Sequence, residues 1–382
     1  MATTYRSLNI IKFADQELHF KLFPVQRVLL KMLYGLPLDN ESEFVVHCNG
    51  WGQPASFLTE EDYAKLLFEQ GRTNYKEGNT GPFQELVLPA GRRGGKTQLS
   101  AIILDYEIYK TLGHDCPQKY YGMPPSNTIQ FLSLATDKDQ AGLLYRETNG
   151  LSSESLILRD ALANNTQSYA RFQTNHDIAT SSRFRYDPTS AKATLKLTFK
   201  SCIAKDQRGA SNLIVVLDEA AHFANNGQAS LEAIYHVVCP SVFTFTPKDP
   251  NTLAPSGLCE GKILVISSPL QKQGLFYQLF NEGMTGKSKN NRLCVQLPTW
   301  ELNPSIPLSE LQNERDRDPI GFYTEYGAEF YPIEKFPYNV EGEALVNGEL
   351  KTNVVFRVLG EEGIVVQKNP RGGWIVTTGN VA

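Results

Sequence analysis

The fold of this chain is decided by residues 85–97, which read Glu-Leu-Val-Leu-Pro-Ala-Gly-Arg-Arg-Gly-Gly-Lys-Thr. The first five of these form a short apolar run typical of a buried strand. A helical pattern follows over residues 98–111, and Gly113 suits its end. A strand, a glycine-rich loop and a helix in this order are the context in which a P-loop cradles phosphate groups. The stretch therefore predicts an α/β fold of the P-loop NTPase class.

The glycine-rich loop supplies the candidate nucleotide-binding residues. Its backbone N–H groups and the positive end of the following helix are expected to face the phosphates. Lys96 is expected to bridge the β- and γ-phosphates of ATP, and the Thr97 hydroxyl to bind Mg²⁺. The match to Gly-x-x-x-x-Gly-Lys-Ser/Thr is imperfect, because the first glycine of that pattern falls on Ala90. The other loop candidates are Gly91, Arg92, Arg93, Gly94 and Gly95.

Plainer interpretations of this loop stay open at this point. A Gly-Lys-Thr sequence can arise by chance on a surface turn, although the flanking strand and helix disfavour that. Arg92 and Arg93 are either solvated charges or part of the site. Arg92 lies four residues before Lys96, where a guanidinium could sense the γ-phosphate.

A second buried strand is predicted at residues 213–217, and it ends in Asp218-Glu219. In α/β sheets, ligands bind at the carboxyl ends of strands. Asp218 is expected to hold Mg²⁺, and Glu219 to act as the general base toward the attacking water. Together with the P-loop, this pair predicts an ATPase rather than a kinase. Arg208, ten residues before Asp218, is either a solvated loop residue or an arginine finger that reaches a neighbouring subunit.

A third apolar run, residues 262–266, leads into Ser267-Ser268-Pro269. Hydroxyl groups at a strand tip could hydrogen-bond a γ-phosphate or its attacking water and report hydrolysis. The alternative is an ordinary strand-to-loop turn, which serine and proline favour.

Further strands and helices alternate along the chain, which predicts a mostly parallel sheet with helices on both faces. Residues 150–190 are rich in Ser, Asn and Thr and are expected to be irregular. The other predicted elements are strands at 129–135 and 195–202, helices at 23–33, 63–70 and 140–147, a helical segment at 301–332 and a β-rich tail at 350–382.

Composition excludes several classes of protein. Lys and Arg total 37 and Asp and Glu total 41, so the net charge is −4, and any DNA contact must come from a local patch or from assembly. No apolar stretch approaches the roughly 18–20 residues of a membrane span, so we expect no membrane partner. The six scattered cysteines form no CxxC pair and are interpreted as reduced thiols.

Taken together, these motifs resemble the ATPase domain of the large terminase subunit, the DNA-packaging motor of tailed phages. That family has an arginine-containing Walker A loop, which often lacks its first glycine, and a Walker B strand that is similar to residues 213–219. The other similar segments are Ala135 to Ala141, Arg208-Gly209, Ser267-Ser268-Pro269 with Gly274 to Tyr277, Trp300 to Pro304, Asp318-Pro319 and Glu325 to Phe330.

The resemblance implies a RecA-like ASCE fold with ATP and Mg²⁺ as cofactors. Gln26 is expected to contact adenine. Arg92 is expected to sense the γ-phosphate in cis, and Arg208 to reach the γ-phosphate of a neighbouring subunit in trans. Ser267 and Ser268 are expected to couple hydrolysis to movement. The implied partners are double-stranded DNA, a portal protein, a small terminase subunit and further copies of the chain in a ring. The implied location is the host cytoplasm, on the viral procapsid. The expected domains are an N-terminal adenine-side or lid segment (1–80), the ATPase core (81–300), a helical lid or linker (301–344) and the tail (345–382).

One departure from this family concerns the C-terminal side. Its members continue into a two-metal nuclease, whereas here no Asp follows Asp318 and the carboxylates beyond Phe330 are all Glu. We therefore expect no nuclease activity from this chain. The leading hypothesis is an ATP-driven DNA translocase. The alternatives are a helicase-like P-loop ATPase and an ATP-binding assembly scaffold with little turnover.

Overall fold

A computed structural model gives the fold of the chain. The described residues are 7–181, 192–201, 209–224, 227–288 and 291–330, together with four strands between 338 and 378. The chain divides into one compact unit of residues 1–269 with 274–329 and a second of residues 270–273 with 330–382. The predicted domain boundaries at residues 80, 300 and 344 stay predictions.

Helices and strands alternate through the first unit. The helices are α1 (Ile10–Gln16), α2 (Pro24–Tyr34), α3 (Glu60–Glu69), α4 (Lys96–Leu112), α5 (Pro117–Tyr120), α6 (Lys138–Ser152), α7 (Leu156–Ala161), α8 (Asn175–Ser181), α9 (Leu231–Val242), α10 (Gly274–Met284), α11 (Thr299–Leu302), α12 (Leu308–Arg317) and α13 (Pro319–Glu325). The strands are β1 (Phe44–Val46), β2 (Ser56–Leu58), β3 (Glu85–Pro89), β4 (Ile129–Ala135), β5 (Leu162–Asn165), β6 (Tyr169–Phe172), β7 (Leu195–Ser201), β8 (Ser211–Asp218), β9 (Lys262–Ser267) and β10 (Arg292–Cys294).

Within the described residues, one eight-stranded sheet forms the centre of this unit, in the order β10-β3-β9-β8-β4-β7-β6-β5. All pairs from β10 to β7 are parallel, and β6 and β5 continue the sheet antiparallel. Helices α4, α6, α9 and α10 contact these strands. The predicted mostly parallel P-loop fold is therefore confirmed. Strand β9 lies between the P-loop strand β3 and the acidic strand β8.

The central strands form because long apolar runs can be buried on both faces of a sheet. Every residue of β3 and β9 is buried, and β8 is buried from Asn212 onward. The predicted strand at 129–135 matches β4, and the predicted helix at 98–111 matches α4, which starts two residues earlier.

The prediction that residues 150–190 are irregular was wrong for residues 150–181, and residues 182–190 lie outside the described residues. This stretch contains α7, the edge strands β5 and β6, and α8. In β6, burial alternates so that Ala170 and Phe172 face the core while Tyr169 and Arg171 are only half-buried. Edge strands of four residues bury only one face, and their sequence signal is accordingly weak.

The N-terminal helices pack on the core beside the P-loop helix. Helix α2 begins at Pro24, and the Gln26 side chain accepts a hydrogen bond from Phe23 N (3.1 Å). Helix α3 starts three residues before its predicted position, because Thr59 caps it by accepting a hydrogen bond from Asp62 N. Both helices belong to the same hydrophobic core as α4.

A second, smaller aromatic cluster joins the segment after β10 to the N-terminal region. Trp300 stacks on Phe322 with centroids 5.7 Å apart, and Trp51 meets Phe322 edge-on at 4.9 Å. Nearby, Arg72 forms a bidentate pair with Glu301, with both N···O distances at 2.9 Å. Helices α11 to α13 confirm the predicted helical character of this segment.

In the second unit, the four described strands pair as two antiparallel hairpins. Strand β11 (Tyr338–Val346) pairs with β12 (Glu349–Val358), and β13 (Ile364–Lys368) pairs with β14 (Trp374–Thr378). The predicted β-rich tail is confirmed. Over the described part of the chain, every helix is too short or too polar to span a lipid bilayer.

Candidate nucleotide site at the carboxyl edge of the sheet

Three sequence motifs meet at one edge of the sheet, because the strands that carry them are parallel neighbours. In the ladders, Pro89 at the end of β3 pairs with Ser267, and Asp218 at the end of β8 pairs with Ile266. The P-loop continues this pairing, since Ala90 N donates to Ser267 O at 2.9 Å. The edge therefore presents the P-loop, the acidic pair and the two serines side by side.

The P-loop adopts a conformation that depends on Gly91. A Cβ atom at this position would lie 2.2 Å from Thr299 Oγ1 and 2.4 Å from Tyr326 O, too close for any side chain. Ala90 is fully buried and continues the strand by a parallel bridge to Leu297. The glycine that this loop requires for steric reasons is thus residue 91. Ala90 occupies the position of the first glycine in the standard pattern, one residue earlier.

Residues outside the sheet form hydrogen bonds with the backbone of Arg92 and Arg93 in the loop. Arg92 N donates to Glu325 O at 2.5 Å, and Thr299 Oγ1 donates to Arg92 O at 2.7 Å. Asn303 Nδ2 donates to Arg93 O at 2.9 Å. These bonds occupy the backbone of both arginines, while their side chains are exposed.

Lys96, the predicted phosphate-binding lysine, lies at the start of α4. Gly95 precedes it in the left-handed region (φ 87°), which turns the chain from the loop into the helix. The Lys96 ammonium is buried, donates to Ala90 O at 3.3 Å and lies 3.6 Å from Glu219 Oε1. Thr97, the predicted Mg²⁺ ligand, follows in the first turn and is half-buried.

Glu219 links the acidic strand to both other motifs. Its backbone is in the left-handed region (φ 52°), which is uncommon for a residue with a side chain. Its Oε2 accepts hydrogen bonds from Ser267 Oγ (3.2 Å) and Ser268 N (3.4 Å). The structure thus brings together Lys96, Glu219 and the two serines, while their predicted roles stay predictions.

Asp218 is more buried than Glu219, and the pKa of its carboxyl is raised. Burial raises the pKa of its carboxyl to about 6, the neighbouring Glu219 carboxylate adds to the rise, and Lys96 opposes it. A divalent cation would compensate this buried charge. Carboxylate and hydroxyl oxygens are also the ligands that Mg²⁺ prefers. Asp218 and Thr97 therefore fit the predicted metal site.

His222 is a functional candidate that the sequence analysis missed. It lies in a short 3₁₀ turn after Glu219. Its Nε2 is 3.2 Å from Ser268 Oγ and 3.9 Å from Glu219 Oε2. A histidine three residues after an acidic pair gives no sequence signal for this contact, because Ser268 is 46 residues further along the chain.

The roles of two other predicted residues, Gln26 and Arg208, stay predictions. Gln26 is buried beside the loop, and its Nε2 lies 2.9 Å from where a Cβ atom on Gly95 would stand. Its contact with adenine stays a prediction. Arg208 lies outside the described residues, so its predicted role as an arginine finger also stays a prediction.

One family of P-loop proteins matches most of the chain. Residues 60–328 match the family described as the N-terminal P-loop domain of the uncharacterized protein MJ0330. The chain belongs to this family. A P-loop binds the phosphates of a nucleotide, so membership of this family implies nucleotide binding. The assignment of residues 91–97 to that role stays a prediction. Among curated proteins, no sequence matches the chain.

Several solved phage structures are similar to the chain. The large terminase ATPase domain of Thermus phage P74-26 is 19% identical, with a TM-score of 0.41 over 70% of this chain and 97% of that one. The large terminase of bacteriophage HK97 is 14% identical, with a TM-score of 0.44 over 93% of this chain and 67% of that one. The large terminase of a thermophilic bacteriophage is 11% identical, with a TM-score of 0.41 over 69% of this chain and 50% of that one.

Proposed function

We propose that this chain hydrolyses ATP and uses the energy to move double-stranded DNA into a viral procapsid, as the motor of a terminase large subunit. The observation that carries the hydrolysis part is the placement of Glu219. Its carboxylate lies 3.6 Å from the P-loop lysine, at the carboxyl edge where α/β sheets bind ligands. A carboxylate facing the phosphate-binding cation is placed to act on water beside the γ-phosphate.

In the proposed reaction, Lys96 and the loop N–H groups hold the phosphates of ATP. Glu219 takes a proton from water as the water oxygen attacks the γ-phosphorus. The bond from that phosphorus to the β,γ-bridging oxygen breaks, which releases ADP and phosphate. Asp218 and Thr97 would hold Mg²⁺, which supplies charge neutralisation at the phosphate oxygens.

Ser267 and Ser268 supply the proposed link between chemistry and movement. Both donate to Glu219 Oε2, at 3.2 and 3.4 Å. When Glu219 turns toward water or phosphate, these two bonds must weaken or rearrange. The end of β9 therefore senses the position of the base. This supports the coupling role that the terminase resemblance implies for the two serines.

The DNA-translocation part of the proposal is supported by the motif series and its order, from the P-loop through Glu325 to Phe330. The implied partners are duplex DNA, a portal protein, a small terminase subunit and further copies of this chain in a ring. The implied site of action is the procapsid in the host cytoplasm. No DNA cleavage is expected from the chain itself.

The test is an ATPase assay of the full chain with and without duplex DNA, run beside a strand-separation assay. Terminase-type activity predicts ATP turnover that duplex DNA stimulates, with no strand separation. Turnover accompanied by strand separation would favour the helicase-like alternative. ATP binding without turnover under all conditions would favour an assembly scaffold.

A further inference from the structure

The outer strands of the sheet carry a basic patch formed by Arg171 on β6 and by Lys196 and Lys200 on β7. Arg171 and Lys196 are direct cross-strand partners in the antiparallel ladder. Like charges placed opposite each other destabilise a sheet. Burial and the neighbouring Arg171 and Lys200 also lower the pKa of Lys196. This patch therefore concentrates positive charge at a cost to the protein.

The charge of the patch is not neutralised by ion pairs within the described part of the chain. Among the described residues, no acidic side chain forms an ion pair with any of the three cations. Sequence composition shows the same local bias. Residues 169–208 contain eight Lys and Arg against three Asp, a net charge of +5 in a chain whose total is −4. A polyanion is the partner that complements such a surface.

Tyr169 lies at the centre of the patch and narrows the choice of polyanion. The Lys196 ammonium is 5.1 Å and the Arg171 guanidinium 6.0 Å from its ring centroid. Proteins that bind single strands leave aromatic faces open for bases to stack. Here the Lys196 and Arg171 cations lie over the Tyr169 ring. This arrangement suits contact with phosphates rather than with unstacked bases.

The length of the patch suits a double helix. Lys196 and Lys200 are four residues apart on one strand, about 13 Å at the usual strand rise. A DNA duplex carries one negative charge per about 1.7 Å of its axis, so several phosphates lie within that length. Lys200 pairs with Leu134 of β4, and β4 in turn neighbours β8, which ends in Asp218. The patch and the nucleotide site therefore share one sheet.

We infer that Arg171, Lys196 and Lys200 form a docking surface for the phosphate backbone of duplex DNA. This inference rests on the proposed function for the choice of DNA. It assigns the contact to the outer strands β7 and β6, which lie two and three strands along the sheet from the acidic strand β8. None of the three cations belongs to the proposed catalytic machinery, so DNA binding and ATP binding can be separated by mutation.

The experiment compares two triple variants of the full chain by fluorescence anisotropy with a labelled DNA duplex over a range of KCl concentrations. Binding of a fluorescent ATP analogue is measured in parallel as the test of folding. The patch variant carries Arg171→Gln, Lys196→Gln and Lys200→Gln. The control variant carries Lys12→Gln, Lys21→Gln and Lys119→Gln, three exposed lysines outside the patch.

The expected result is that the patch variant binds duplex DNA more weakly and with a flatter salt dependence. Loss of three phosphate contacts reduces the slope of log K against log salt by about 2.7. The control variant should match the wild type, and all three proteins should bind the ATP analogue alike. Equal slopes in both variants would overturn the patch and leave the proposed function standing.

Two other outcomes are informative. A wild-type preference for single-stranded DNA or RNA over the duplex would overturn the assignment of the ligand. A wild-type chain that binds the ATP analogue but no duplex DNA would overturn the DNA part of the proposed function, together with the patch.

Discussion

Glu219 Oε1 lies 3.6 Å from Lys96 Nζ, so the proposed base and the proposed phosphate-binding cation are ion-paired across the site. The pair is partly shielded from water, since 27% of the Glu219 side chain and 8% of the Lys96 side chain are exposed. A γ-phosphate entering the loop competes with Glu219 for the lysine. Nucleotide binding is thus expected to free the base when its substrate arrives.

Changing Glu219 to Gln is expected to keep ATP binding and abolish most turnover. An amide cannot accept the proton of the attacking water, and general-base catalysis contributes about 10²–10⁴-fold to rate. Lys96→Ala serves as the comparison, because it should lose binding as well as turnover. Steady-state ATPase rates and equilibrium binding of ATP separate the two. Wild-type turnover in Glu219→Gln would show that another group is the base.

Asp218→Asn is expected to change how stability depends on pH. The folded-state pKa of Asp218 is about 6, against 3.8 for an unperturbed carboxyl. The native state therefore binds the proton more tightly, and this group's stabilising contribution is lost as pH rises from 3.8 to 6. Each pH unit of that window corresponds to about 1.4 kcal/mol.

The measurement for Asp218 is urea unfolding of both proteins from acidic to neutral pH, without nucleotide or metal. The Asn variant should gain stability relative to the wild type as pH rises through the window, and the difference should then level off above pH 6. A difference that stays constant over this range would contradict the raised pKa.

His222→Ala is expected to lower kcat about tenfold or more with little change in ATP affinity, the size typical of residues that orient a functional side chain. The imidazole contacts Ser268 Oγ at 3.2 Å, and Ser268 N contacts Glu219, so removal of the ring loosens the base. His222→Gln, which keeps a polar group of similar reach, should recover part of the rate. Equal rates for the Gln and Ala variants would show that the ring only fills space.

Gly91→Ala is expected to destabilise the protein and to weaken nucleotide binding. The new Cβ would meet Thr299 N at 2.5 Å and Tyr326 O at 2.4 Å, and overpacking of this kind costs about 1–3 kcal/mol. The control is Gly142→Ala in α6, where no atom lies within 4 Å of a new Cβ. That change should stabilise the helix by up to about 1 kcal/mol. Thermal melting with and without ATP compares the two, and equal melting temperatures would refute the requirement at residue 91.

Arg208→Ala is expected to impair ATPase activity of the assembled ring but to leave ATP binding by the single chain intact. A finger that acts in trans permits complementation by Lys96→Ala subunits. Mixed rings can join an intact finger from one chain with an intact P-loop from another. The ATPase rate of the mixture, compared with each variant alone, measures this. Absence of any recovery would count against action in trans.

Much of the fold could be predicted because the central strands have strong signals. Residues 213–217 and 263–266 are continuous apolar runs, the pattern expected of strands in a sheet that is covered on both faces. Strand β10 escaped prediction, because its three residues gain their role only from parallel pairing with β3. The edge strands β5 and β6 were likewise hidden in a polar stretch.

The candidate site was predictable where one short segment carries the chemistry. Lys96 follows its own loop, and Asp218 and Glu219 end their own strand. The contacts of Thr299 and Asn303 with the P-loop were not predictable, since they join residues more than 200 positions apart. Their segment resembles one in terminases, but its spacing gave no reason to place it on Arg92 and Arg93.

The backbone clamp on the P-loop has a mechanical consequence. Thr299, Asn303 and Glu325 grip the loop from outside the sheet, and the stacked pair Trp300 and Phe322 stiffens the segment that carries them. Because these hydrogen bonds join the loop to this segment, any displacement of the loop on phosphate entry or release is expected to move the segment as well. Residues 299–326 are therefore expected to move with the loop as one stiff segment and to carry its displacement away from the site.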